Sequence, residues 1–293
     1  MIYRDLRLNG SLKDAKVRIL MQSKLFSSLH IFNNYGMISI SSAKLIRSLA
    51  RKKIRTQEKL YLVEGEKMVL ELLKETADGL SEVKELFATG EWLNEYRGLI
   101  SEAVKTSEAS PQELKKVSTL VTPQKVMAIV SIPDQVLDPE ALARETLLGF
   151  EAIRDPGNLG TIVRTADWFG IRHILCSPDS VDLYNPKVVQ STMGAITRVK
   201  VFYTDLQSLL EEPSFREKPV YGTFINGENI YQSSMEANPL FLFGNESKGL
   251  SAQYDSHIKT RLSIPSFASQ QGSESLNLAS SVAVICSEIR RRD

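Results

Sequence analysis

The chain has 293 residues, a formal net charge of +1, 42% hydrophobic and 24% charged residues. That length allows one large domain or two ordinary ones, and near-neutrality excludes global attraction to a polyanion, so a nucleic-acid partner would have to meet a local patch. Two cysteines far apart in sequence, Cys176 and Cys286, argue against a disulfide framework or a four-cysteine zinc site and fit a reducing, cytoplasmic compartment. His30, His173 and His257 show no metal-ligand spacing, so no metal is expected. No apolar run approaches the ~18 residues of a membrane span.

Residues 1–36 are mixed and basic, without the apolar stretch of a secretory signal. They are expected to be a poorly ordered extension or the product of an upstream start, with an ordered arm as the alternative. Residues 37–132 read as one small α/β unit. Ser42–Ile54 forms a basic amphipathic helix, Tyr61-Leu62-Val63 a short strand, and Lys67–Glu75 a helix with Met68, Leu70, Leu72 and Leu73 on its apolar side. Val83–Ala88 is a second strand, Glu91–Leu99 and Gln112–Lys116 are short helices, and Val126–Ile132 is a buried strand. Residues 133–145, with Pro133 and Pro139 among charges, read as a linker.

Over 146–293 strands alternate with helices. Leu147–Ile153, Arg172–Cys176, Val199–Phe202, Val220–Ile225, Leu240–Phe243 and Leu262–Ile264 are the strands. Thr161–Phe169, Pro186–Gly194, Leu206–Glu212 and Leu276–Arg292 are the helices. This alternation predicts a mostly parallel sheet covered on both faces.

Three polar motifs each follow an apolar run in this half, where ligand sites of open α/β sheets gather. The first runs from Arg154 to Arg164. Pro156-Gly157 reads as a turn, Gly160 permits close backbone approach, and Arg164 lies about one turn into the next helix, able to lean back over the loop. The second is Gly244-Asn245-Glu246-Ser247-Lys248-Gly249, where Gly244 would let the backbone approach a ligand and Glu246 places a carboxylate at the strand mouth. The third is Ile264-Pro265 followed by Ser275-Leu276-Asn277, in which Ser275 or Asn277 is able to cap the last helix. Taken singly, each also fits a plain connection, a solvated turn or a cap. Neither a Gly-x-Gly-x-x-Gly nor a Gly-Lys-Ser/Thr sequence is present, which leaves a dinucleotide or P-loop site poorly supported.

Together, in this order and spacing, the motifs resemble the SpoU (TrmH) branch of the SPOUT RNA methyltransferases. Asn158, Gly160 and Arg164 match its first motif, Gly244 and Glu246 its second, and Ile264-Pro265 with Ser275-Leu276-Asn277 its third. Asn185-Pro186-Lys187-Val188-Val189 before Met193-Gly194-Ala195 is similar to the family too. Arg55 with Leu62-Val63-Glu64-Gly65, and Thr122-Pro123-Gln124, resemble the start and end of the family's L30e-like substrate-binding domain. Three departures stand out. Lys125 occupies a position where Gly is common and Gln190 one where Arg is common, and the stretch from Pro265 to Ser275 is a few residues long.

The resemblance implies a C-terminal SPOUT α/β knot, a deep trefoil knot with a mostly parallel sheet, preceded by a small L30e-like α/β domain. Knots are a rare exception to the rule that chains avoid threading. It implies methyl transfer from S-adenosyl-L-methionine to a ribose 2′-hydroxyl of structured RNA, ribosomal RNA being favoured over transfer RNA by the appended domain. It implies a homodimer through the knot and C-terminal helix. By carry-over, Gly244, Asn245, Ile264, Pro265 and Leu276 hold the cofactor, and Arg164, Asn158, Glu246, Ser275 and Asn277 form the catalytic set. Arg164 either accepts the hydroxyl proton or lowers the hydroxyl pKa electrostatically; a guanidinium stays protonated at ordinary pH, which makes it an awkward base. Between Lys44 and Lys67 eight cations face three glutamates; Arg51, Lys52, Lys53 and Arg55, with Lys187, are the candidate RNA contacts. The rivals are a catalytically silent RNA-binding protein keeping the fold and a methyltransferase acting on a base.

Overall fold

The computed structural model describes residues 38–75, 82–268 and 275–292. The expected N-terminal extension and the middle of the loop between Pro265 and Ser275 lie outside them. Helix α1 (Ile40–Ser48) starts on a Ser39 cap whose side chain accepts from the Ser42 amide at 3.0 Å. It buries Ser42 and Ile46, and a break at Leu49–Arg51 separates it from α2 (Lys52–Glu58). The single basic helix expected over Ser42–Ile54 is therefore two, because Leu49 turns inward and is fully buried. The chain continues through β1 (Leu60–Glu64), α3 (Glu66–Glu75), β2 (Val83–Ala88), α4 (Gly90–Tyr96), β3 (Lys105–Glu108), α5 (Pro111–Val117) and β4 (Val126–Ser131). These strands form a four-stranded sheet in the order β1-β4-β2-β3. Only β2 and β3 pair in parallel.

Residues 133–145 are less open than the expected linker. Asp138 caps a short helix, α6 (Pro139–Ala143), by accepting from the Glu140 and Ala141 amides. The buried ammonium of Lys218 then donates to the carbonyls of Glu145 (2.6 Å), Asn238 (2.8 Å) and Ala143 (3.2 Å). Those bonds satisfy a cation that burial alone would penalise.

The second sheet is wholly parallel, as the strand–helix alternation predicts. It comprises β5 (Leu147–Phe150), β6 (His173–Cys176), β7 (Lys200–Tyr203), β8 (Val220–Asn229), β9 (Leu240–Phe243) and β10 (Thr260–Ser263), in the order β10-β8-β9-β5-β6-β7. Strands β5 and β9 sit at the centre and are buried at every position, the continuous apolar signature of a sheet covered on both faces. The intervening helices are α7 (Pro156–Trp168), α8 (Pro186–Thr192) and α9 (Leu206–Glu211), and the chain ends with α10 (Leu278–Arg292). One cluster of buried apolar side chains runs across both sheets, from Tyr61 and Val63 to Leu148, Phe150 and Phe243.

The topology fixes where loops meet. From β5 the chain goes outward through β6 and β7, then crosses over so that β9 returns to the other side of β5. Ligand crevices in such sheets open at the carboxyl ends of strands flanking this reversal. Phe150 and Phe243 are register partners, with rings stacked 5.1 Å apart, so the segments that follow them emerge side by side.

Candidate active site

Motif one leaves β5 through Ala152, which holds φ at +52°, a conformation that costs a side-chain-bearing residue energy. Asp155 then caps α7 by accepting from the Asn158 amide at 2.8 Å, with Pro156 at the first helical position. The helix thus begins at Pro156 rather than at the expected Thr161, since a proline loses nothing where its missing N–H would be unpaired anyway. Asn158 lies in the first turn, and Arg164 two turns in rather than one.

Asn158 is the junction of the three motifs. Its Nδ2 donates to Glu246 Oε1 at 3.2 Å, and its Oδ1 accepts from Asn277 Nδ2 at 3.0 Å. Asn277 Oδ1 accepts from the Ala279 amide at 3.0 Å and so caps α10. Of the two expected caps, Asn277 fills the role; Ser275 is exposed and bonds to no described side chain. Asn245 donates through Nδ2 to the Ala152 carbonyl at 2.8 Å and accepts the Ser247 amide on Oδ1 at 3.0 Å, pinning the second motif to the first.

Gly244 is also required by the fold of its own loop. A Cβ there would lie 2.0 Å from Gly249 C and Leu250 N. It admits protein backbone: Asn245 and Gly249 exchange hydrogen bonds of 3.0 and 2.9 Å across the closed loop. Gly160 likewise makes room for α8, since a Cβ there would meet Ser191 Cβ at 2.4 Å and the Val188 carbonyl at 2.7 Å.

The remaining motif residues surround this junction. Ile264 and Pro265 are half-buried at the exit of β10, and Leu276 is 53% exposed. Phe267, in the same loop as Ile264, is 86% exposed. Apolar side chains facing water at strand mouths, beside loops rich in main-chain donors and acceptors, fit an adenosine-bearing sulfonium cofactor such as S-adenosylmethionine. Arg164 is exposed on α7, outside the Asn158 network, and no described carboxylate pairs with it. Glu246, expected to fix Arg164 or Asn158, holds Asn158.

Of the expected RNA contacts, Arg51, Lys52 and Lys53 are exposed on and beside α2. Lys187 is exposed at the start of α8, where a Cβ on Gly157 would lie 4.0 Å from its Cε; it flanks the first turn of α7. Arg55 departs from the set. It is 2% exposed, and its guanidinium is spent on Asp182 Oδ2 at 2.5 Å and on the Leu49 and Ala50 carbonyls at 2.7 and 2.9 Å. No phosphate can reach a fork so occupied. Sequence reading gave no role to Asp155, Ala152, Asp182 or Arg198. The Asp-Pro pair before an apolar-periodic run was the available signal for the first; the others depend on partners remote in sequence.

Among the described residues no group of three or more His, Cys, Asp or Glu could hold a metal ion, and no helix is long and apolar enough to cross a membrane. Residues 145–287 match the model of the SpoU rRNA methylase family, and residues 41–128 match that of the MRM3-like substrate-binding domain. The 23S rRNA (guanosine(2553)-2′-O)-methyltransferase RlmP of Bacillus subtilis is 30% identical over 245 residues, covering 83% of this chain and 94% of that protein. This chain belongs to the SpoU (TrmH) family.

Solved SpoU structures agree. An RNA methyltransferase assigned to the TrmH family from Porphyromonas gingivalis is 34% identical, with a TM-score of 0.77 over 88% of this chain and all of that one. The SpoU methyltransferase AviRb from Streptomyces viridochromogenes, solved in complex with AdoMet, shares the fold at 23% identity, with a TM-score of 0.73 over 87% of this chain and 98% of its own.

Proposed function

We propose that this protein is an S-adenosylmethionine-dependent RNA methyltransferase that modifies a ribose 2′-hydroxyl, with ribosomal RNA as its substrate. One observation carries the reading: a single amide, Asn158, ties the loops after β5 and β9 to the cap of α10, so three motifs remote in sequence form one site. RlmP, related along nearly its whole length, is a 23S rRNA 2′-O-methyltransferase.

The cofactor supplies an electrophilic methyl group to the attacking oxygen. Backbone at Gly244, Asn245, Ile264 and Pro265 binds it, with Leu276 and Ile264 as apolar walls. Asn158, Glu246 and Asn277 keep these loops in register, and Ser275 faces the substrate. Arg164, exposed and unclaimed by any described carboxylate, stays protonated and offers its donors to the 2′-oxygen, lowering the hydroxyl pKa by stabilising the developing oxyanion, while the hydroxyl proton passes to solvent and the demethylated cofactor leaves as a neutral thioether. Arg51, Lys52, Lys53 and Lys187 meet phosphates. We read residues 37–132 as the substrate-binding domain, 133–145 as its link, and 146–293 as a knotted methyltransferase domain. Pairing of two copies through the knot and α10 would cover Trp168, which is 84% exposed on α7. Two free, buried cysteines suit a cytoplasmic setting.

The test is tritiated methyl transfer from S-adenosylmethionine to bulk RNA of a strain lacking the gene, followed by mapping of the labelled nucleotide. Label in ribosomal RNA at a ribose supports the reading. Label only in transfer RNA, or on a base, refutes the substrate; absence of cofactor binding by calorimetry identifies a silent RNA-binding protein.

A further inference from the structure

The segment 182–198 is held at both ends by the four-stranded unit. At its start, Asp182 accepts from Nε and Nη2 of Arg55, at 3.1 and 2.5 Å, and Arg55 is buried. At its end, Arg198 donates from Nη1 to Glu71 on α3 at 3.1 Å. Gly194 makes that approach possible: it holds φ at +98°, and a Cβ there would lie 2.9 Å from Glu71 Cγ. Between the two bridges, Tyr184 packs against Tyr61 of β1, with ring centroids 4.8 Å apart.

The other face of the same segment is built onto α7. Arg198 grips Asp167 with two bonds, of 2.9 and 2.8 Å. Ser191 and Val188 of α8 press against Gly160 closely enough to exclude a methyl group there. Segment 182–198 is therefore a strap with the substrate-binding unit on one side and the Asn158/Arg164 helix on the other. Bidentate guanidinium–carboxylate bonds fix orientation as well as distance, and a buried ion pair is strongly destabilised when one partner is removed. Displacement of a reacting group by about 1 Å is enough to cost on the order of a hundred-fold in rate.

We propose that Arg55, Asp182, Glu71 and Arg198 are positioning residues: they fix the substrate-binding unit against α7, so that RNA held by the one is presented in register to Arg164 on the other. The proposal rests on the methyltransferase reading. It assigns Arg55 a mechanical role in place of the phosphate contact that its sequence context suggests.

The experiment uses the full chain carrying Glu102→Cys and Arg216→Cys, both exposed positions on the two units, for spin labels; the native cysteines are buried. Asp182→Asn, Glu71→Gln and their combination are compared with the parent. The expected result is a broadened inter-label distance distribution in the double variant. On bulk ribosomal RNA from a strain lacking the gene, kcat should fall about ten-fold or more, while the calorimetric Kd for S-adenosylmethionine and the KM for RNA stay within about three-fold. Asp182→Glu should recover most of the lost kcat, which a generally weakened fold would not allow. Should the double variant fail to fold, Glu71→Gln alone, at a partly exposed site, should broaden the distances and lower kcat by about three-fold. Unbroadened distances, or broadened distances with kcat within about two-fold of the parent, overturn the proposal. A parent protein inert on all RNA would sink the methyltransferase reading, and the strap would then stand or fall on the distances alone.

Discussion

Replacing Gly160 by Ala sets two effects of opposite sign against each other. Within a helix, Ala is favoured over Gly by about 1 kcal/mol, so propensity alone predicts a gain. The structure places the new methyl 2.4 Å from Ser191 Cβ, 2.7 Å from the Val188 carbonyl and 3.2 Å from Ser191 C. Ordinary carbon contacts lie near 3.5–4.0 Å, so α7 and α8 must part by about 1 Å along a contact that includes fully buried Leu159, Val163 and Val188. Overpacking of this kind costs ~1–3 kcal/mol. The net expectation is a loss of up to ~2 kcal/mol, or a Tm lower by up to about 8 °C for a protein of this size. Gly98→Ala, where nothing lies within 4 Å, is the control and should leave Tm unchanged or slightly raised. Adding Ser191→Gly to Gly160→Ala should recover part of the loss, not all, because the Val188 carbonyl remains. Calorimetric melting of the four proteins settles it, and a Gly160→Ala protein melting above the parent would refute the close approach of the two helices.

Arg164→Lys should lower kcat on the order of a hundred-fold with stability within about 0.5 kcal/mol, since the side chain is exposed; near-full turnover of the Lys variant would exclude a guanidinium-specific role. Reversing Arg51, Lys52 and Lys53 to Glu should weaken RNA binding and flatten the salt dependence of log K by about two to three; an unchanged slope would remove this patch from the interface. Glu288 is buried between Arg291 and Arg292, and the Arg291 hydrogen bonds above all hold its carboxyl down at about 2, against an ordinary 4.5. Its folded value lies below its unfolded value, so its contribution is present above about pH 4.5 and is lost as pH falls toward 2. Glu288→Gln should flatten that part of the stability–pH curve measured by urea melts, and an unaltered curve would count against the pairing.

Where burial followed apolar pattern, the chain was readable. Val83–Ala88 and Leu240–Phe243 are strands with the expected bounds, and the parallel sheet followed from alternation. Polar or short elements escaped. Strand β3 reads Lys-Thr-Ser-Glu, lies at the sheet edge and is largely exposed, so it carries no apolar period. Helix α6 hid behind Pro139, which punctuates as a breaker but serves as a first helical residue. Strand β8 runs on to Asn229 because β10 pairs with it across an irregular register near Arg261, which is a property of the partner. In the site, motif membership was legible and contact was not. The bonds from Asn158 span 88 and 119 residues of sequence, and the Arg55–Asp182 pair spans 127. Arg55 looked like its cationic neighbours because nothing local marks a carboxylate so remote.

The Asn158 side chain has one donor end and one acceptor end, each committed to a different loop. Whatever immobilises either loop therefore pre-orders the other, and such coupling is reciprocal. A molecule docking at one wall of the crevice lowers the entropic cost of filling the opposite wall, by the same factor in either order of arrival. Occupancy would then favour full or empty sites over half-filled ones, without any messenger beyond a two-headed carboxamide.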